Sequence, residues 1–292
     1  GCFCNATGRR TILVTRDRVL SLLPDHECRH YVLTMMAEQG IEIREQSELT
    51  GVLANENGQV QAALVRTPQG ECRIDTDFIF LGLGEVPNSE LPIQRLGVEA
   101  DPSGFIKVNA RMQTSVANVY AVGDVVGAPM EMFKARKGGM YAARNIMGED
   151  AEYEFDDYPD FLHSHYEVSW FGMGEEQARE NFPSVNAIKM PPDNPDGWNI
   201  ALPASDRTML YAMKYPRMSG FQKLVVNGEN RRILGAFHVG YGAKDGFQYL
   251  YQMAKRGVTV DQLGEMDELF LNPSHFIQLC RLRAGSKELR DL

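Results

Sequence analysis

Hydrophobic and polar positions follow two different regimes along this chain, and the change falls near its middle. Thr11 to Thr15 is a short, β-branched apolar run that predicts a buried strand. Arg29 to Gln39 has helical spacing at Tyr31, Leu33, Met35 and Met36, and Gly40 closes it as the residue after the helix. Ile41 to Ile43 starts the next strand. Val52 to Ala54 and Val60 to Arg66 flank Asn55-Glu56-Asn57-Gly58, a hairpin signal. Asp77 to Leu83 predicts another buried strand, followed by Gly84. The order is a βαβ unit, a β-meander and a return strand. Gly104 to Val108 and Val119 to Val122 predict strands. Pro129 to Met147 predicts a helix with Phe133, Arg136, Met140 and Ala143 near one face. After an acidic linker, Gly148 to Pro159, the pattern changes. His165 to Phe171, Ala187 to Met190, Thr208 to Lys214, Phe221 to Val226 and Ile233 to Val239 predict an antiparallel sheet. Helices are expected at Lys244 to Arg256, Val260 to Gly264 and Ser274 to Arg283.

Composition narrows the field. The chain has 292 residues, 43% hydrophobic and 24% charged, which suits two or three globular domains. A net charge of −9 argues against a nucleic-acid partner, which needs a basic footprint. No apolar run approaches the ~18 residues of a membrane span, so no membrane association is expected. The opening residues lack the parts of a signal peptide, and without an initiator Met the chain is expected to begin mid-protein or after processing. Five cysteines point to a reducing, cytoplasmic setting rather than a disulfide framework. Cys2 and Cys4 are expected as helix-core thiols. Cys28, Cys72 and Cys280 are expected as isolated core or surface thiols. None has zinc spacing. His163 and His165 share a strand face, but no third ligand is in sight, so no metal site is expected.

Three motifs carry chemistry. In the run Thr114 to Asp124 a strand delivers Gly123 where a backbone must approach a cofactor closely. Asp124 is placed to accept from a ribityl hydroxyl. The next helix, beginning near Met130, offers a positive end to a flavin oxygen. A plain strand–turn–helix with a surface Asp is the alternative. Gly82-Leu83-Gly84-Glu85-Val86-Pro87-Asn88 is a Gly-rich turn suited to close approach of a dinucleotide, or a tight loop after a strand. Arg16 and Arg18 follow the first strand of a dinucleotide-type unit. An acid at that strand end binds the adenosine ribose, whereas Arg accommodates a 2′-phosphate. Arg16 is the closer match, which favours NADP over NAD; two solvated arginines are the alternative. The G-x-G-x-x-G that opens such a unit is absent and is expected upstream of residue 1.

Thr114 to Asp124 resembles the second FAD motif of the flavoprotein disulfide oxidoreductases, and Gly82 to Asn88 resembles their turn between nicotinamide and flavin domains. Pro129 to Lys137, Ala201 to Met209, Met218 to Lys223, His238 to Asp245 and Glu265 to Ser286 resemble one branch, the 2-ketopropyl-coenzyme M oxidoreductase/carboxylases. Disulfide reductases end in His-Pro-Thr-x-Ser-Glu, with the His oriented by the Glu five positions later. Here Phe270 takes the place of the His and His275 that of the Glu. Pairing on the proline instead puts Asn272 under the His.

The resemblance implies an α/β chain. Part of an NAD(P)-binding domain covers 1–84, the second segment of an FAD domain 85–150, and an α+β dimerisation domain with an antiparallel sheet 151–292. The cofactors implied are FAD and NADP, the assembly is a homodimer, and the chain is the C-terminal part of a longer flavoenzyme. In the implied reaction NADPH reduces FAD and FAD reduces a cysteine pair. One thiolate attacks the thioether of 2-ketopropyl-coenzyme M and releases the enolate of acetone. The enolate adds to CO2 to give acetoacetate, and coenzyme M remains as a mixed disulfide. Phe270 removes a proton donor and limits water. His275 holds a water or donates to the enolate oxygen. Arg136 pairs with the sulfonate, Met132 lies near flavin and substrate, and Gln278 is a polar contact. Two other readings stand beside this one: an ordinary disulfide reductase of the dihydrolipoamide or mercuric type, and a non-catalytic dimerisation module.

Overall fold

The computed structural model describes residues 2–155, 157–163, 167–190, 220–240, 243–244, 246–267, 276–277 and 279–280. It is a mixed α/β structure whose chain divides into two compact units, 1–79 with 158–292, and 80–157.

In the first unit, α1 (Cys2–Ala6) leads to β1 (Thr11–Val14), α2 (His26–Glu38) and β2 (Ile41–Arg44), with β1 and β2 parallel. This is the predicted βαβ unit. α2 begins three residues earlier than its apolar spacing suggests, because Asp25 caps it: its Oδ1 accepts from Cys28 N at 2.9 Å. The buried stripe is Cys28, Val32 and Met35, with Leu33 and Met36 only half-buried. α1 buries no residue, so Cys2 and Cys4 are half-exposed thiols and not core. A meander follows in β3 (Glu48–Ala54), β4 (Val60–Thr67) and β5 (Gly70–Asp75). The predicted hairpin turn holds: Asn55 Oδ1 accepts from Asn57 N and Gln59 N, both at 3.0 Å, and Gly58 has φ 76°.

The same unit contains a five-stranded antiparallel sheet. Its strands are β6 (Asp160–His163), β7 (Glu167–Gly172), β8 (Val185–Met190), β9 (Phe221–Asn227) and β10 (Ile233–Gly240), in the order β6-β7-β10-β9-β8. A short helix, α5 (Glu175–Asn181), joins β7 to β8. β9 is buried at every position because both sheet faces are covered. On one face Phe221, Val225, Phe237 and Val239 pack against Val32 and Met35 of α2. On the other, Leu224, Val226 and Ala236 pack against Phe247, Leu250 and Leu263. These last lie on α6 (Phe247–Lys255) and α7 (Val260–Gly264). Each large apolar side chain so buried contributes about 1.5–3 kcal/mol. The expected strand Thr208 to Lys214 lies outside the described residues. Phe276, Ile277, Leu279 and Cys280 are helical, and Phe276 is buried against Phe247 and His238.

The second unit holds α3 (Glu90–Leu96) and α4 (Met132–Ile146). The strands expected at Gly104 to Val108 and Val119 to Val122 reduce to single bridges, Ala100–Ile106 and Gln113–Tyr120. The strand expected at Asp77 to Leu83 is not formed: no described strand pairs with it, and Phe80 and Leu83 are each 79% exposed. An apolar run alone does not make a strand without a neighbouring backbone to bond.

Candidate functional site

Within the second unit the two sequence motifs converge. Gly123 opens a turn of 3-10 helix, Gly123–Val126, with φ 78°, a conformation that L side chains rarely adopt. A Cβ there would already touch the Ala135 side chain at 3.4 Å. Across from it, Ser89 Oγ donates to the Gly104 carbonyl and anchors the end of the Glu85–Asn88 turn. Asp101 Oδ1 accepts from Ser103 N at 2.8 Å and Phe105 N at 3.0 Å, which aims Phe105 against Gly127. Ile106 N donates to Val125 O at 2.9 Å and ties the two turns together. Between them lies a cavity of about 430 Å³, lined by Glu85, Asn88, Phe105, Asp124 and Met130 among others.

Asp124 is exposed, and its carboxylate has no ion-pair partner among the described residues. Gly82 is exposed beside the turn but does not line the cavity. α4 starts at Met132 rather than at Pro129, with Glu131 extended as its N-cap, so Met130 belongs to the cavity wall and not to the helix. Met132 and Arg136 are exposed and one turn apart on α4. The buried face of α4 is Lys134, Gly138 and Ala142, not the predicted face of Phe133, Arg136, Met140 and Ala143. Gly138 makes this possible: a Cβ there would stand 3.3 Å from Val122, so the helix lies against that segment as closely as glycine permits.

Lys134 is a functional candidate that sequence reasoning missed. Its side chain is buried, and Nζ donates to the Gly127 and Ala128 carbonyls, the latter at 2.9 Å. Burial pushes its amine below the usual lysine range, partly offset by the charge of Asp124. The available signal was its i, i+4, i+8 spacing with Gly138 and Ala142, two small residues that mark a close-packed face.

In the first unit, Arg16 and Arg18 follow β1, are exposed, and make no ion pair with a described residue. Phe270, His275 and Gln278 lie outside the described residues, as does His165, and the His163 side chain is likewise not described.

Two family models match: one described as pyridine nucleotide-disulphide oxidoreductase over residues 1–139, and that family's dimerisation domain over residues 158–277. The chain belongs to the pyridine nucleotide-disulphide oxidoreductases. Among other members, it is 28% identical to the human mitochondrial dihydrolipoyl dehydrogenase over 211 residues, 72% of this chain and 39% of that protein. The rat enzyme matches with the same identity and coverage. The chain thus spans about two fifths of the length of the curated relatives it matches. The HOCl-induced flavoprotein disulfide reductase RclA from Escherichia coli superposes with a TM-score of 0.79 at 18% identity, covering 96% of this chain and 60% of RclA. LpdA from Mycobacterium tuberculosis gives 0.76 at 17% identity, covering 95% and 57%. These likenesses establish the fold: a Rossmann-like region with an antiparallel dimerisation domain. No helix among the described residues is long and apolar enough to cross a membrane.

Proposed function

We propose that this chain is the C-terminal part of an NADPH- and FAD-dependent oxidoreductase that cleaves 2-ketopropyl-coenzyme M and carboxylates the resulting enolate to acetoacetate. In this reading residues 1–84 belong to the NAD(P) domain, 85–150 to the FAD domain and 151–292 to the interface of a cytoplasmic homodimer.

The cofactor part is carried by the cavity where both motifs meet. The residues there fit a polyhydroxyl chain: the exposed Asp124 carboxylate accepts from a hydroxyl, and Gly123 lets the backbone come close. Gly82 leaves the approach to the turn open. Met130 lines the wall, while Met132 and Arg136 face outward from the first turns of α4. FAD held here supplies electron transfer between NADPH and a thiol pair. The exposed charges of Arg16 and Arg18 suit the 2′-phosphate of NADPH.

The carboxylase part is carried by Phe270, which stands where the reductases place a His. A ketone enolate takes a proton from a positioned imidazole readily. With an apolar ring there instead, CO2 competes as electrophile. His275 stabilises charge on the enolate oxygen, Arg136 binds the sulfonate as a fork, and Gln278 adds a polar contact. A second reading is favoured by the 28% identity to dihydrolipoyl dehydrogenases: an ordinary disulfide oxidoreductase that interconverts a dihydrolipoamide-like dithiol and its disulfide.

Phe270→His in the full-length protein decides between them. The proposal expects more acetone relative to acetoacetate, and faster plain NADPH-dependent disulfide reduction. An unchanged product ratio would remove the role given to Phe270.

A further inference from the structure

Period-two alternation puts Lys223 on the face of β9 that carries Phe221 and Val225, toward α2. It is only 2% exposed. In register beside it on β8 stands Lys189, and like charges directly opposite each other destabilise a sheet. Three carboxylates reverse this. Lys223 Nζ meets Asp25 Oδ2 at 2.9 Å, Glu27 Oε2 at 2.7 Å and Glu175 Oε2 at 2.7 Å. The other oxygen of Glu27 binds Lys189, and that of Glu175 binds Arg179 at 2.6 Å. Asp25, Glu27 and Glu175 are thereby matched by Lys223, Lys189 and Arg179.

The cluster joins two segments far apart in sequence. Asp25 and Glu27 open α2 of the βαβ unit, whereas Lys223, Lys189 and Glu175 belong to the dimerisation sheet and α5. Asp25, also 2% exposed, caps both helices: Oδ1 accepts from Cys28 N, and Oδ2 accepts from Glu175 N at 3.3 Å. The approach is close enough that a Cβ at Gly174 would collide with the Pro24 carbonyl. From the first turn of α2, Arg29 Nε donates to Val19 O at 2.7 Å and its guanidinium pairs with Glu45. Glu45 Oε1 also accepts from Val19 N at 2.6 Å. Val19 follows Arg18 directly, so the loop carrying Arg16 and Arg18 hangs from α2.

We propose that Lys223 is a positioning residue for the candidate 2′-phosphate site: by clamping Asp25 and Glu27 to the dimerisation sheet it fixes the first turn of α2, and through Arg29 the loop that presents Arg16 and Arg18. The role rests on the NADP reading above. Breaking one partner of such a cluster leaves buried charge uncompensated, so the remaining carboxylates must move toward water.

The test uses the full-length protein with Lys223→Met. Amide exchange over residues 16–30 and the affinities for 2′,5′-ADP and 5′-AMP are measured together. Exchange there is expected to rise about tenfold or more while β7 and β10 stay protected. The preference for 2′,5′-ADP over 5′-AMP is expected to fall about tenfold, the worth of one charge-assisted contact. A merely structural role would weaken both ligands alike and leave the ratio intact, which would overturn the proposal, as would unchanged exchange. Should Lys223→Met not fold, Glu27→Gln keeps the Asp25 and Glu175 contacts and is expected to shift both readouts in the same direction by a smaller factor; no shift would overturn the role. A wild-type protein that does not prefer 2′,5′-ADP overturns the NADP reading and this positioning role with it, and the exchange data then report separately whether Lys223 holds α2.

Discussion

Lys134 is the single side chain on which the candidate cofactor cavity leans most. An ammonium in that buried position is stable only while the Gly127 and Ala128 carbonyls receive it. Those carbonyls follow the Gly123–Val126 turn, so the lysine ties the turn bearing Asp124 to α4. Hydrogen bonds from a charged donor contribute about 1.5–3 kcal/mol each. Lys134→Met is therefore expected to lower the thermal midpoint and to reduce the FAD retained per chain, read from visible absorbance. A variant with wild-type FAD content would show that the turn needs no such tie. This residue was hidden from pattern reading for a definite reason. The buried stripe of α4 consists of Lys134, Gly138 and Ala142, none of them a large apolar residue, while Met132 and Met140 face out. Hydrophobic periodicity ranks those positions the wrong way round. The turn at Gly123 and Asp124 was legible because its backbone shape is written directly in the glycine.

At the level of elements, α2 joins the βαβ unit to the antiparallel sheet. Its apolar face packs on the sheet, and its acidic first turn enters the Lys223 cluster. Burial alone pushes Glu27 and Glu175 up. Hydrogen bonds from Lys189 and Lys223 to Glu27, and from Lys223 and Arg179 to Glu175, more than reverse this, so both lie below the ordinary 4.5 of a glutamate. Depressed carboxylates give stability that is present above that value and is lost as pH falls through their folded pKa. Burial pushes Lys223 down, but Glu175, Glu27 and Asp25 raise it well above the lysine range, so it stays charged throughout. The denaturant midpoint of the unit holding α2 is expected to be flat near neutrality and to fall below pH 4.5. The fall should shrink in Glu27→Gln. An equal acid loss in that variant would contradict the assignment. Strands β9 and β10 and helix α7 were readable from the sequence, and the structure adds a capping box of Thr259 and Gln262 before α7. The segment Asp77 to Leu83 was not, because strand pairing is a property of two segments and periodicity reports one. The contact of α2 with the sheet is equally invisible in sequence: Asp25 and Glu175 stand 150 positions apart.

The whole molecule divides into two compact units, and the family models span both. Family membership explains the architecture but leaves the reaction open, since the same fold serves several chemistries. The proposed reaction rests on the sequence resemblance that puts Phe270 and His275 in place of the reductases' His and Glu. In the proposed reaction the exchange leaves no proton donor at carbon, so that the enolate would live long enough to meet CO2. The measurement that tests this most directly supplies the full-length protein, prereduced with NADPH, with 2-ketopropyl-coenzyme M and bicarbonate, and separates acetoacetate from acetone. Under the proposed reaction acetoacetate is the main product. Acetone alone, or no cleavage while NADPH still reduces the flavin, would contradict it.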